Sequence, residues 1–245
     1  MSLTSFSASL DGSLKDVELR GSLAGPGTLG TMPDIDFDAL YRGESPGPGL
    51  PPVANPPWDT RAPKESVVAW QNDGVIRGDV LDIGCGFGDN AVFLGRHGHR
   101  VTGVDISPTA VVAAQRRAHD AGLPDAAVTF AVGDATDLAG YDEAFDTVID
   151  SGMYHCLDDD GRQRYAAGAY RAARPGASLL LCCFTETHSA GPRWRRPGVS
   201  EHSLRDTFGG AGWLVRSIRP FNVPRDDGVV MSFWLVHAGR LDASG

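Results

Sequence analysis

Five short apolar runs recur along the chain: Val80–Ile83, Arg100–Val104, Val128–Val132, Phe145–Ile149 and Ser178–Phe184. Each is four to seven residues long, rich in valine, isoleucine or leucine, and bounded by glycine, proline or an acid, which predicts strands. Between them the apolar spacing is helical, over Asn90–Arg96, Pro108–Ala121 with Ser107 as N-cap, and Asp159–Ala173 with Pro175-Gly176 as the stop. The unbroken run Leu179-Leu180-Leu181-Cys182-Cys183-Phe184 suits a central parallel strand covered on both faces. Strands alternating with helices predict an α/β fold, a doubly wound and mostly parallel sheet. Upstream lie a short helix over Phe37–Arg42, a segment dense in proline and glycine over Gly43–Pro57, and a helix over Pro63–Gln71. Downstream, a loop over Thr185–Gly198 leads to a helix over Ser200–Phe208. Two last strands, Trp213–Ile218 and Val229–Val236, are expected to pair across a long turn. Residues 1–34, rich in serine, glycine and leucine without sustained periodicity, are expected to be a flexible extension, leaving 35–240 as one domain with 35–72 as an N-terminal lid.

Composition narrows the function classes. With 245 residues, 42% hydrophobic and 22% charged, the chain can bury a sizeable core. A formal charge of -9 argues against nucleic acid, because phosphate binding needs a basic face and the longest basic patch is Arg193-Trp194-Arg195-Arg196. No run approaches the roughly 18 apolar residues of a membrane span, and the N-terminus has no signal-peptide pattern, so the expected compartment is the cytoplasm. The four cysteines lack metal-ligand spacing and are expected to be free buried thiols. A small-molecule partner and a monomer or weak dimer fit best.

The chemistry concentrates where the first strand runs into Gly84, Gly86 and Gly88. Glycines at a strand-to-helix turn let the backbone bend sharply and approach a ligand, although an ordinary turn uses them too. A dinucleotide site has G-x-G-x-x-G; here the third glycine comes one residue early and Asp82 precedes the first. An acid at that point suits a cationic ligand such as S-adenosylmethionine (SAM), which carries a sulfonium and an α-ammonium. The second strand ends in Asp105, about 20 residues past the first glycine, where an acid can hold ribose hydroxyls. The third is followed by Asp134 and the fourth by Asp150-Ser151-Gly152, and ligands of open α/β sheets bind at those carboxyl ends. A nicotinamide-dependent oxidoreductase and a non-catalytic SAM-binding module are the alternatives.

Through VLDIGCGFG, VTGVDIS, VGDATDL and FDTVIDSG, in that order, the chain resembles the class I SAM-dependent methyltransferases over roughly Asp36 to Val236. Pro57-Trp58-Asp59, Asp150-Ser151-Gly152 and Gly191-Pro192 further resemble the thiopurine methyltransferase group, with the bacterial heterocyclic-toxin (quinolone) methyltransferases as the nearest bacterial parallel. The resemblance implies strand order 3-2-1-4-5-7-6. It also implies that Asp82 and Gly84 face the methionine end of SAM, Asp105 and Ile106 the ribose and adenine, Asp134 and Ala135 the adenine, while Trp58 covers the cofactor. Ser151 stands where the thiopurine enzyme has an arginine, which puts thiopurines themselves in doubt as acceptors.

Methyl transfer to a small aromatic heterocycle needs an apolar pocket and, for a hydroxyl acceptor, a base. His155 is the candidate base, since it follows the fourth strand at the ligand edge and titrates near neutrality, though a histidine there also serves simply by bonding backbone. Tyr41, Ser151, Tyr154, Phe184 and Trp194 are the candidate acceptor contacts, with Asp150 as a polar group of the same edge. Trp194 between arginines equally suits a solvated patch, and Trp58 equally suits core packing.

Overall fold

In the computed structural model, which describes residues 35–187, 198–224 and 228–241, all five apolar runs become strands of one sheet. These are β1 (Asp79–Ile83), β2 (Arg100–Asp105), β3 (Val128–Val132), β4 (Phe145–Ser151) and β5 (Ala173–Phe184). They pair in parallel, with β1 between β2 and β4. Antiparallel β7 (Val230–Gly239) joins β5, and β6 (Leu214–Pro224) closes the edge, giving the order β3-β2-β1-β4-β5-β7-β6. Register aligns the strand tips: Ile83 lies beside Val104 on one side and Asp150 on the other. The acids at the ends of β1, β2 and β4 thereby converge on one edge.

Alternation of side chains through the parallel strands sends successive residues to opposite faces. Val80, Ile149 and Leu180 pack with Val67 and Trp70 of α2 (Glu65–Asn72), Leu94 of α3 (Asp89–Arg96) and Ala118 of α4 (Pro108–Asp120). Leu81, Val148, Leu179 and Leu181 pack on the other face with Tyr165 and Ala169 of α5 (Asp159–Ala172) and Leu204 and Phe208 of α6 (Glu201–Gly210). The helices begin where short polar side chains satisfy their first free N–H groups: Ser107 accepts from Ala110 N, Asp158 from Gly161 N, and Ser200 from Ser203 N. Ahead of the sheet sits the short α1 (Phe37–Tyr41), capped by Asp36. Among the described residues no helix is long and apolar enough to cross a membrane.

Two boundaries differ from expectation. Helix α5 stops at Ala172, and Ala173 to Gly176 already belong to β5, so Pro175-Gly176 lies within a strand that starts by pairing Ala173 with Phe145. The final hairpin is longer than its apolar pattern suggests. β6 runs through Pro220 to Pro224 because it is an edge strand, where a residue without an N–H breaks no ladder.

Phe208 is fully buried, stacked 5.4 Å from the Tyr154 ring and edge-on to Tyr165. It props the turn that follows β4. Phe208→Ala is expected to lower unfolding free energy in urea by about 3–5 kcal/mol through the cavity it leaves. A loss under about 1 kcal/mol would show that this face is not packed as described.

Candidate active site

The β1–α3 turn is anchored on the tip of β2. Gly84 and Cys85 N–H donate to the Val104 carbonyl at 2.8 and 3.1 Å, and Gly86 N–H donates to Asp105 Oδ2 at 2.8 Å. Gly84, Gly86 and Gly88 all have positive φ, a region that favours glycine. Space matters at all three, and a β-carbon on Gly84 would fall 2.5 Å from that of Met153. A β-carbon on Gly88 would press within 3 Å of Phe130 of β3 and Ala114 of α4, so this glycine serves helix-on-strand packing. One on Gly86 would stand 2.9 Å from the Tyr41 hydroxyl, which lies over the loop.

Three buried acids meet behind that loop. Asp82 is 1% exposed, and its Oδ2 has no hydrogen-bond partner. Burial pushes its pKa well above the carboxylate range, and Asp150 and Asp105 push it further. Asp105 accepts from Gly86 N–H and, at 2.9 Å, from Ser107 N–H; its pKa is still raised, because burial outweighs both bonds. Asp150, fully buried and raised to about 6 by burial, accepts from the N–H groups of Gly152, Met153 and Tyr154 at 2.8–3.0 Å. Expected as a ligand contact, it is placed as the clamp of the turn carrying His155. At the neighbouring tips Ile106 is 59% and Val132 54% exposed, Ala135 is half-buried, and exposed Asp134 folds back on Thr136 N–H and hydroxyl. Val132 went unnoticed in the sequence; its sign is an apolar last strand residue, paired with Asp105 and left exposed.

Residues 35–64 form a strap across this edge. Asp38 of α1 accepts from the Ser107 hydroxyl (2.5 Å) and Thr109 N–H (3.0 Å), docking α1 on the start of α4. The Trp58 indole donates to the Tyr41 hydroxyl at 3.0 Å, and Tyr41 packs edge-on against Phe87 at 4.8 Å. Burial, then the nearby Asp105, raises the Tyr41 pKa. Arg117 of α4 binds Asp59 at 3.2 Å and Asp89 at 2.6 Å while lying over the Phe87 ring. That arginine, invisible to motif reading, ties the strap to the glycine loop.

On the β4–β5 side a 3₁₀ turn, Tyr154–Cys156, presents His155, 8% exposed, with its ring 4.1 Å from Phe184. Phe184 stacks on Phe233 of β7 at 4.8 Å, and Phe233 lies 6.5 Å from Phe221 of β6. Met153 overlies Gly84, and the Ser151 hydroxyl is 3.5 Å from that of Ser66. Tyr154, expected in the acceptor pocket, is instead fully buried between Tyr165 and Phe208, because the 3₁₀ turn aims consecutive side chains in different directions. Trp194 lies outside the described residues. The Phe233–Phe221 extension escaped the sequence reading, since only cross-strand register reveals it.

Comparison with known proteins is consistent with this geometry. Residues 80–176 match the family model described as a methyltransferase domain. The 2-heptyl-1-hydroxyquinolin-4(1H)-one methyltransferase of Mycobacteroides abscessus is 35% identical over 184 residues, 75% of this chain and 78% of that one. A structure solved under the heading "Conversion of a Disulfide Bond into a Thioacetal Group during Echinomycin Biosynthesis" superposes with TM-score 0.72 at 36% identity, over 85% of this chain and 92% of that one. The Burkholderia thailandensis 1,6-didemethyltoxoflavin-N1-methyltransferase, at 24% identity and TM-score 0.56 over 72% and 76%, shares the fold.

The residues present fit SAM on an observation internal to this chain: a buried carboxylate oxygen on Asp82 that has no hydrogen-bond partner among the described residues, beside the turn of Gly84. To hold an ammonium, Asp82 must be ionised, whereas burial favours its protonated form. Binding a cation there therefore expels a proton, so affinity rises with pH through the raised pKa and levels off above it. Calorimetry in buffers of different ionisation enthalpy should show proton release on SAM binding, lost in Asp82→Asn together with about tenfold or more in affinity. Binding without proton release and indifferent to pH would contradict this assignment. By the match to the methyltransferase domain and to the Mycobacteroides abscessus enzyme, the chain belongs to the SAM-dependent methyltransferases.

Proposed function

We propose that the protein transfers a methyl group from SAM to an oxygen, nitrogen or sulfur of a small aromatic heterocycle, with hydroxyl-bearing quinolone-like rings as the leading class. The supporting observation is the row of rings His155–Phe184–Phe233, which sets a titratable imidazole against a flat apolar wall beside the Gly84 turn. A planar acceptor stacks on such a wall, and the imidazole stands where its nucleophile would lie. The similar Mycobacteroides abscessus protein carries a hydroxyquinolone in its name, in keeping with this class. The thiopurine-group likeness adds no acceptor, because Ser151 replaces the arginine of that group.

In this reading Asp82 holds the amino group of SAM, Asp105 the ribose hydroxyls, and Ile106, Val132, Asp134 and Ala135 border the adenine. Gly84, Gly86 and Gly88 shape the turn beneath it. Trp58 and Tyr41 cover the site, making residues 35–72 the lid. When bound, SAM supplies a methyl group on a cationic sulfur and leaves as a neutral thioether. The chain's own task is to align and dry the two reactants, a contribution on the order of 7–11 kcal/mol. Proton removal by His155 adds roughly 3–5 kcal/mol, and only for acceptors that must lose a proton. Asp150 and Phe208 act at one remove, by fixing the turn that aims the imidazole.

Incubating the full chain with SAM and a 2-alkyl-1-hydroxyquinolin-4-one should yield a product heavier by one methyl group in the mass spectrum. His155→Ala should slow that turnover about tenfold or more while SAM affinity holds. No product from hydroxyquinolones, heterocyclic thiols or ring-nitrogen acceptors would overturn the substrate class. Unchanged turnover in the variant would remove His155 from proton transfer.

A further inference from the structure

In that reading Asp82 answers the α-ammonium of SAM, which leaves its α-carboxylate without a counter-charge. Lys64 is the cation placed to supply one. Its backbone N–H donates to Asn90 Oδ1 at 2.9 Å, which sets it beside the start of α3, just past Gly88. Two residues on, the Ser66 hydroxyl meets Ser151 at the tip of β4, so Lys64 stands between the glycine loop and the β4 tip. Its ammonium donates to the Trp58 carbonyl at 2.5 Å and reaches the Thr60 hydroxyl at 3.5 Å. Both partners are neutral, and among the described residues no carboxylate forms an ion pair with it. Burial lowers its pKa, and the nearby carboxylates Asp89 and Asp59 offset that loss of water only in part. A partly dehydrated ammonium with three donors and only neutral acceptors gains from an anion at the remaining position.

We propose that Lys64 is the anchor of the donor's α-carboxylate, one ammonium bridging that carboxylate and the Trp58 carbonyl so that donor binding tightens the strap. The proposal rests on the SAM reading of the crevice. It assigns the methionine end two opposite charges from two elements, Asp82 from the sheet and Lys64 from the strap. The zwitterion is then read by sign as well as by shape. A donor lacking its carboxylate loses the strap contact and keeps the sheet contact.

Calorimetric affinities of SAM and decarboxylated SAM for wild type, Lys64→Met, Lys64→Gln and Lys64→Arg test this, with thermal unfolding confirming that each variant folds. The expected result is that Met and Gln weaken SAM about tenfold or more yet leave decarboxylated SAM unchanged, while Arg keeps most of the SAM affinity. Glutamine can still donate to the Trp58 carbonyl, so its loss of SAM affinity isolates the charge. Equal weakening of both ligands would assign Lys64 to the strap alone and overturn the proposal, as would unchanged SAM affinity. Failure of the wild-type protein to bind SAM while it binds another nucleotide would instead bring down the cofactor reading beneath it.

Discussion

Asp82 carries into the protein one carboxylate oxygen that no described residue bonds, within electrostatic reach of Asp105 and Asp150. Ionising such a group without a partner is costly in a low-dielectric interior, so burial and the neighbouring acids push its pKa up and favour the protonated form. Asp105 and Asp150 are relieved in part because backbone N–H groups of adjoining turns donate to them, although burial still raises both. The site thus holds two acids bonded by backbone N–H groups and one with an unbonded oxygen, which in the proposed reading takes the cation. A helix N-terminus aimed at a phosphate would demand the opposite charge pattern.

Everything that positions this trio follows from parallel pairing. β1 in register with β2 and β4 puts Asp82, Asp105 and Asp150 at one edge, and the positive-φ turn at Gly84–Gly88 bends the chain away from it. Bonds to Val104 and Asp105 then fix that turn to β2. The strap adds a roof from outside the sheet, held by Asp38 on α4, by Arg117 on Asp59, and by the Trp58–Tyr41 bond. In the proposed reading the β1–β3 tips select the donor, and the aromatic row that starts at His155 selects the acceptor. The same crevice separates the chain from nicotinamide-dependent oxidoreductases, whose pyrophosphate would meet acids here.

The legible parts of the molecule were those written locally. Apolar runs of strand length, the Ser107 and Ser200 caps, and the acids directly following β2 and β3 are all readable within a few residues of sequence. Tyr154 was misplaced because its direction depends on a 3₁₀ turn organised by Asp150, not on strand alternation. Arg117 and Phe233 were missed because their contacts join distant parts of the chain, as Arg117 does with Asp59 and Phe233 with Phe221 across a hairpin register. β6 looked shorter than it is because proline breaks a central strand but not an edge. The glycines were recognised for a ligand's sake, yet Gly88 is required equally by Phe130 and Ala114.

A crystal structure of the full chain with S-adenosylhomocysteine tests the central claim most directly. The account predicts the ligand's amino nitrogen within about 3 Å of Asp82 Oδ2 and its ribose hydroxyls on Asp105. A ligand bound elsewhere, or one in this crevice whose amino group leaves the Asp82 oxygen still unbonded, would contradict it.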